Sequence, residues 1–271
     1  MSAPEPWICV TCGVQYNTSE QPPTQCPTCE DPRQYLRHGG QEWTTRTALE
    51  VVHRNAIEEE EPGLWSIHTQ PVFAIGQRAF FVKTAEGNLL WDSVSLVDDA
   101  TVARVRELGG VRAIAISHPH YYSSVVDWSD AFGGAEIWIH EADRQWVQRN
   151  SLALRFWSGE QHPLFGGLSL IHSGGHFDGY QVALWPAGAQ GKGVLLAGDQ
   201  PQVCLDRKWV TFMYSYPNWI PLGPGAVRRI AAGLAQLEFD RMYGAFGRHL
   251  MSGARQTIAR SAERYLRAIA E

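Results

Sequence analysis

The chain has 271 residues, of which 44% are hydrophobic and 19% charged, with a formal net charge of −5. That is enough apolar material for one large core and a small appendage, and the even mixture of signs excludes a polybasic stripe for nucleic acid or an anionic membrane surface. The apolar runs, such as Val194–Gly198, are strand-sized, and Met1–Pro6 has no basic region leading into an apolar stretch; the expectation is a soluble cytoplasmic protein without leader or membrane span.

Four of the five cysteines fall in the first 29 residues as two pairs, Cys9-Val10-Thr11-Cys12 and Cys26-Pro27-Thr28-Cys29. In a reducing compartment that spacing points to metal ligation rather than disulfides. Each Cys-x-x-Cys turn offers two thiolates, and two turns give a tetrahedral four-sulfur site suited to Zn2+ or iron. Residues 1–45 are rich in Pro, Thr, Cys and Gln and lack long apolar periodicity, so they need such a staple to hold together. They read as a metal-binding module, with residues 46–271 as a second domain.

From Thr44 onward the pattern becomes mixed α and β. Ala48–Glu60 predicts a helix ended by Pro62-Gly63. Strands are expected at Trp65–His68, Val72–Ile75, Ala79–Lys83 and Leu89–Trp91. Asp98 and Asp99 offer a cap for a helix through Leu108, with Val102, Val105 and Leu108 on one face. Val111–Ile116 reads as a buried strand that runs straight into Ser117-His118-Pro119-His120. Later strands are expected at Glu136–Ile139, Leu168–Ile171, Val182–Trp185, Gly193–Ala197, Val210–Met213 and Met242–Phe246. Helices are expected at Glu141–Val147, Pro224–Leu237 and Gly253–Ile269. Strands with helices interspersed, without strict βαβ alternation, favour layered sheets with helices outside.

Ligand-type side chains recur where these strands end. His118 and His120 are spaced i and i+2, with Pro119 stiffening the turn between them. Gly174-Gly175-His176 presents one imidazole from a tight backbone turn. Asp199 closes the run Val194–Gly198, and Gly247-Arg248-His249 follows the strand at Met242–Phe246. Cys204 stands alone and reads as a buried thiol. The aromatics from Trp209 to Trp219 read as core packing, or as one wall of a pocket. His140 and His162 have no motif around them, and His172, on the strand before Gly174-Gly175-His176, reads as a satisfied strand-end histidine.

The order His-x-His, Gly-Gly-His, Gly-Asp, Gly-x-His resembles the metallo-β-lactamase superfamily over about residues 65–250. That resemblance implies an α/β fold, a four-layer αββα sandwich, here with a small N-terminal four-cysteine module. Asp92 resembles the aspartate these proteins carry one strand before the first motif, behind the ligands rather than among them. The family's first motif reads His-x-His-x-Asp-His, whereas this chain has Tyr122 and Ser123 at the last two places. The ligands that remain suit one ion, Zn2+ or iron, held by His118, His120 and His176 with Asp199 as fourth; His249 has lost its usual partners. Asp199, Tyr122 and His249 are the candidate catalytic residues, Tyr122 as a proton or hydrogen-bond donor or else as a packed ring. The cysteine module resembles a rubredoxin-like knuckle pair, through Cys12-Gly13, Tyr16 and Cys26-Pro27. Glu30 replaces a glycine there and the spacer is short, which favours structural Zn2+ over electron transfer by iron.

The function these features imply is a metal-dependent hydrolase with a small ester, lactone, thioester or amide as substrate, and no nucleic-acid or membrane partner. An iron-dependent oxidoreductase using the cysteine module, and a non-catalytic metal-binding protein, are the alternatives.

Overall fold

A computed structural model describes residues 5–270. Residues 1–4 and 271 lie outside the described residues, and with them most of the segment from which the absence of a leader is read. The chain divides into two compact units, Met1–Ile139 with Arg144–Phe156, and His140–Asp143 with Trp157–Glu271.

The first unit opens with strands β1 (Pro6–Cys9), β2 (Gln15–Thr18) and β3 (Trp43–Thr44), joined in the order β2-β1-β3, and a one-turn helix α1 (Pro27–Glu30). Helix α2 (Arg46–Val52) follows, its first turn capped by Thr45, whose hydroxyl accepts from the Ala48 amide. Then come β4 (Arg54–Glu61), β5 (Leu64–Gln70), β6 (Ala79–Thr84), β7 (Gly87–Trp91), helix α3 (Asp99–Glu107), β8 (Ala113–Ala115), helix α4 (Val125–Ala131), β9 (Glu136–His140) and β10 (Leu154–Trp157). These seven strands form one sheet in the order β10-β9-β8-β7-β6-β5-β4, antiparallel from β4 to β7 and parallel from β7 to β9. Helix α3 is as the sequence predicts: the Asp98 carboxylate accepts from the Thr101 amide, and Val102 and Val105 are buried. Leu89–Trp91 of β7 and all of β8 are apolar and buried, so the polar residues that follow them, Asp92 and Ser117-His118, emerge side by side at their C-terminal ends.

Two expectations fail here. The helix over Ala48–Glu60 stops at Val52, and Arg54–Glu61 is a strand paired almost residue for residue with β5 across the Pro62-Gly63 hairpin. Glu58 and Glu60 sit on one face, where Arg78 reaches both (3.0 and 3.3 Å). A full ladder plus that cross-strand pairing outweighs the weak helix preference of glutamates. Val72–Ile75 is a turn rather than a strand, with Val72 73% exposed and Ala74 at φ 51°. Helix α4 and strand β10 have no counterpart in the sequence reading.

The second unit contains β11 (Gln161–Pro163), β12 (Ser169–His172), β13 (Gln181–Trp185), a short turn α5 (Gly188–Gly191), β14 (Val194–Gly198), two small ribbons β15 (Gln202–Val203) with β16 (Val210–Thr211) and β17 (Met213–Ser215) with β18 (Ile220–Pro221), helix α6 (Pro224–Ala235), β19 (Arg241–Gly244), β20 (His249–Leu250) and helix α7 (Ala254–Ala268). Its main sheet runs β11-β12-β13-β14-β19-β20. Central strand β14 is buried along its whole length. The single strand expected over Val210–Met213 is broken into two ribbons. Glu141–Trp146 is a 3-10 helix. No helix among the described residues is long and apolar enough to cross a membrane.

Candidate metal centres

The four cysteines converge. Their sulfurs lie within 4.8 Å of one another, with Cys9–Cys29 at 3.5 Å and Cys12–Cys26 at 3.6 Å. Metal–sulfur bonds of about 2.3 Å in a tetrahedron set sulfurs roughly 3.8 Å apart, so the cage fits one ion. Each pair is shaped by its own turn: the Gly13 amide donates to the Cys9 carbonyl (2.8 Å), and the Cys29 and Glu30 amides donate to the Cys26 carbonyl (2.9 and 3.0 Å). Gly13 has φ +81°, and a Cβ there would lie 2.5 Å from Ser95 Oγ, so glycine is required on both counts. Tyr16 donates its hydroxyl to Cys26 Sγ and Gln41 donates to Cys9 Sγ, both at 3.1 Å. Hydrogen bonds from its neighbours, Cys12 first, hold the Cys9 thiol far below its ordinary range, while burial pushes Cys12 up. All four could ionise together in so small a buried cage only around a cation.

His118 and His120 follow β8. The Ser117 amide donates to Asp92 Oδ1 (2.7 Å), which sets the turn that delivers His118. Ser117 Oγ lies 2.9 Å from His118 Nδ1, so that Nε2 is the nitrogen that could ligate an ion. The two imidazoles meet edge to face with centroids 5.1 Å apart, and the Tyr121 ring lies 4.3 Å from that of His118. Ser93 Oγ reaches the Tyr121 and Tyr122 carbonyls, both at 3.1 Å, and Gln77 donates to the Ser93 carbonyl (2.9 Å) and Ser123 Oγ (2.8 Å). Tyr122 is buried and borders a cavity of about 20 Å³, shared with Val14, Gln15, Val125 and Val126, that has room for about one water.

In the second unit the Gly174-Gly175-His176 loop is gripped by Gln200. Its side-chain oxygen accepts from the His176 amide (2.8 Å) and its nitrogen donates to the Gly174 carbonyl (2.6 Å). A Cβ on Gly175 would lie 2.6 Å from that amide, so the second glycine makes the grip possible. His176 Nδ1 faces the Met213 carbonyl at 3.2 Å, which again reserves Nε2. Asp199 ends β14, and Tyr180 organises it: the hydroxyl accepts from the Asp199 and Gln200 amides (2.8 Å each) and lies 2.7 Å from the Ala197 carbonyl and 3.1 Å from Asp199 Oδ1. Tyr216 donates to the Asp199 carbonyl (2.7 Å); burial first, then the Asp199 charge, pushes its pKa well up and keeps it a donor. His249 begins β20, its Nδ1 accepting from the Gly244 amide at 3.3 Å.

His118, His120 and His176 form a group whose ligand nitrogens all lie within 4.8 Å of one another, and all three are buried. Asp199 and His249 fall outside that group. Gln200 and Tyr180 escaped the sequence reading; Gln200 adjoins Asp199, but an amide that clamps a glycine loop leaves no spacing signal. Cys204 is half-buried, and burial raises its pKa. Among the aromatics, Phe212 is core and Trp219 is 84% exposed. His140 and His172 stack on each other at 3.9 Å.

No family model matches the chain. The uncharacterized protein YmaE of Bacillus subtilis (strain 168) is 47% identical over 265 residues, covering 97% of this chain and 96% of that protein. The chain belongs to the YmaE family. A Cronobacter sakazakii metallo-β-lactamase with a HARLDQ motif aligns at a TM-score of 0.53 and 16% identity, over 82% of this chain and 96% of its own. The DIM-1 metallo-β-lactamase aligns at 0.59 and 14%, over 78% and 98%. FIM-1 of Pseudomonas aeruginosa, in a mono-zinc form, aligns at 0.55 and 13%, over 78% and 95%. At such identities the likeness shows the fold, and the fold is that of the metallo-β-lactamases, carrying a four-cysteine cluster at its N-terminus.

Proposed function

We propose that the chain is a metal-dependent hydrolase of the cytoplasm, acting on a small ester, lactone, thioester or amide. One ion is held by His118, His120 and His176, a group that does not include Asp199, and a structural Zn2+ sits in the cysteine module. The observation that carries this reading is the buried three-imidazole group. That donor set suits Zn2+ or iron, and the fixed Nδ1 contacts of His118 and His176 support it. An ion held there supplies a Lewis acid and a water of lowered pKa. Asp199, its backbone locked by Tyr180 and Tyr216, offers the carboxylate that orients this water. Tyr122 and His249 are assigned as donors to the substrate. Tyr122 and Ser123 in place of carboxylate and imidazole ligands argue for one ion, and the fold accommodates that state in the mono-zinc form of FIM-1. Five cysteines with no disulfide among them agree with a reducing compartment.

Elemental analysis of protein purified without added metal, followed by a screen of esters, lactones, thioesters and amides, tests the reading. Two equivalents of zinc per chain and turnover of one class support it. Iron in the histidine centre would move the assignment to the oxidoreductase. A single equivalent, lost when the cysteines are replaced, would leave a non-catalytic protein.

A further inference from the structure

Gln15 joins the cysteine module to the first histidine motif. Gln15 opens β2 and is 3% exposed; its amide N–H donates to the Ser123 carbonyl (3.0 Å), three residues beyond His120. Its side chain donates to Asp127 Oδ2 (2.7 Å) on α4 and accepts from Arg149, which also pairs with Asp127. The primary amide does both at once, its nitrogen donating to the carboxylate while its oxygen accepts from the guanidinium. A second tether runs beside it: Ser95 Oγ donates to the Gly13 carbonyl and Ser124 Oγ to the Ser95 carbonyl, both at 2.8 Å.

The loop so tethered needs support. Ser123 has φ +39°, a left-handed conformation that a serine keeps only when its surroundings hold it. Gln15 and Gln77 are what hold it, on its carbonyl and its hydroxyl. The module that places Gln15 is a sheet of strands two to four residues long, too small to stand without the ion that ties β1 to α1.

We propose that Gln15 is a positioning residue for the histidine centre, through which occupation of the four-cysteine centre sets the metal affinity of His118, His120 and His176. The proposal rests on the reading that those three histidines hold an ion. The test uses full-length protein with zinc in the cysteine centre and cobalt titrated into the histidine centre, followed by its visible d–d absorption. In Gln15→Ala, which keeps the amide bond to Ser123 but removes the side-chain bonds to Asp127 and Arg149 that anchor that amide, the cysteine centre keeps its zinc equivalent, while cobalt affinity falls about tenfold or more, on the scale of losing a residue behind a ligand, and the d–d bands change in position or intensity. Ser95→Ala, which cuts only the second tether, shows a smaller fall in the same direction and decides the matter if Gln15→Ala does not fold. Cobalt affinity within about twofold of wild type with an unchanged spectrum, even at a lowered melting temperature, would reduce Gln15 to packing and overturn the proposal. Wild-type protein that takes up no cobalt beyond the cysteine centre sinks the hydrolase reading itself, a separate failure.

Discussion

In the cysteine module four thiols crowd within 4.8 Å of one another beside short strands and little hydrocarbon, whereas His118 and Asp199 follow strands that are wholly buried on their own account. The first centre has little apolar core to hold its turns together without an ion; the second is braced by hydrogen bonds within the protein. The Ser117–Asp92 bond, the Gln200 clamp and the Tyr180 hub are all protein-to-protein contacts. Metal binding is therefore folding in one centre and occupancy of a prepared seat in the other.

The largest effect should come from breaking the first centre. Cys9→Ser with Cys26→Ser should release one metal equivalent and, with it, binding free energy on the order of 10–16 kcal/mol that folds the module. Hydrogen exchange should then show residues 5–45 open and the two main sheets still protected. Loss of protection throughout would mean that the module and the rest of the chain fold as one body. In the second centre, Gln200→Ala should weaken metal binding by about 10–100-fold and cost roughly 1–3 kcal/mol in a melt, because the His176 amide loses its acceptor. An affinity equal to wild type would show that the glycine loop holds its shape unaided.

A smaller change sharpens the boundary between positioning and chemistry. Tyr122→Phe should leave metal content and melting close to wild type and lower turnover by about 10²-fold, the scale of one acid–base or oxyanion donor; Tyr122→Ala should cost about 3 kcal/mol or more. Full turnover in the Phe variant would remove the hydroxyl from the mechanism. The smallest expected effect is a pH slope. Burial, then the neighbouring His172, lowers the pKa of His140 below its ordinary value near 6.5. The unfolded chain thus binds a proton that the folded chain refuses, so stability falls as pH drops through about 6.5 and levels off below the folded value. Melting temperatures between pH 7.5 and 5.5 should decline less steeply in His140→Phe; parallel slopes would acquit His140.

What could be read from the sequence was whatever a strand exit makes local. His118, His120, His176 and Asp199 each sit against an apolar run or a glycine pair, and the cysteine spacing is a motif in itself. What supports them is not local. Gln15 acts on Ser123, and Gln200 on Gly174, across long stretches of chain, and no periodicity marks either residue. The helix drawn over Ala48–Glu60 fails for a related reason. Glutamates favour helices weakly, and the seven-pair ladder with β5 that overrides them exists only in three dimensions.

Strand β4 is the last in its sheet, and it carries Glu58, Glu59, Glu60 and Glu61 in a row. A strand edge is a template for any extended segment that can zip onto it, and a run of like charge is one of the ways proteins discourage that encounter. Arg78 offsets Glu58 and Glu60 in place, so an approaching copy of the same strand meets repulsion while the sheet itself does not. The same four residues that mislead a helix reading thus act as a gatekeeper against edge-to-edge aggregation.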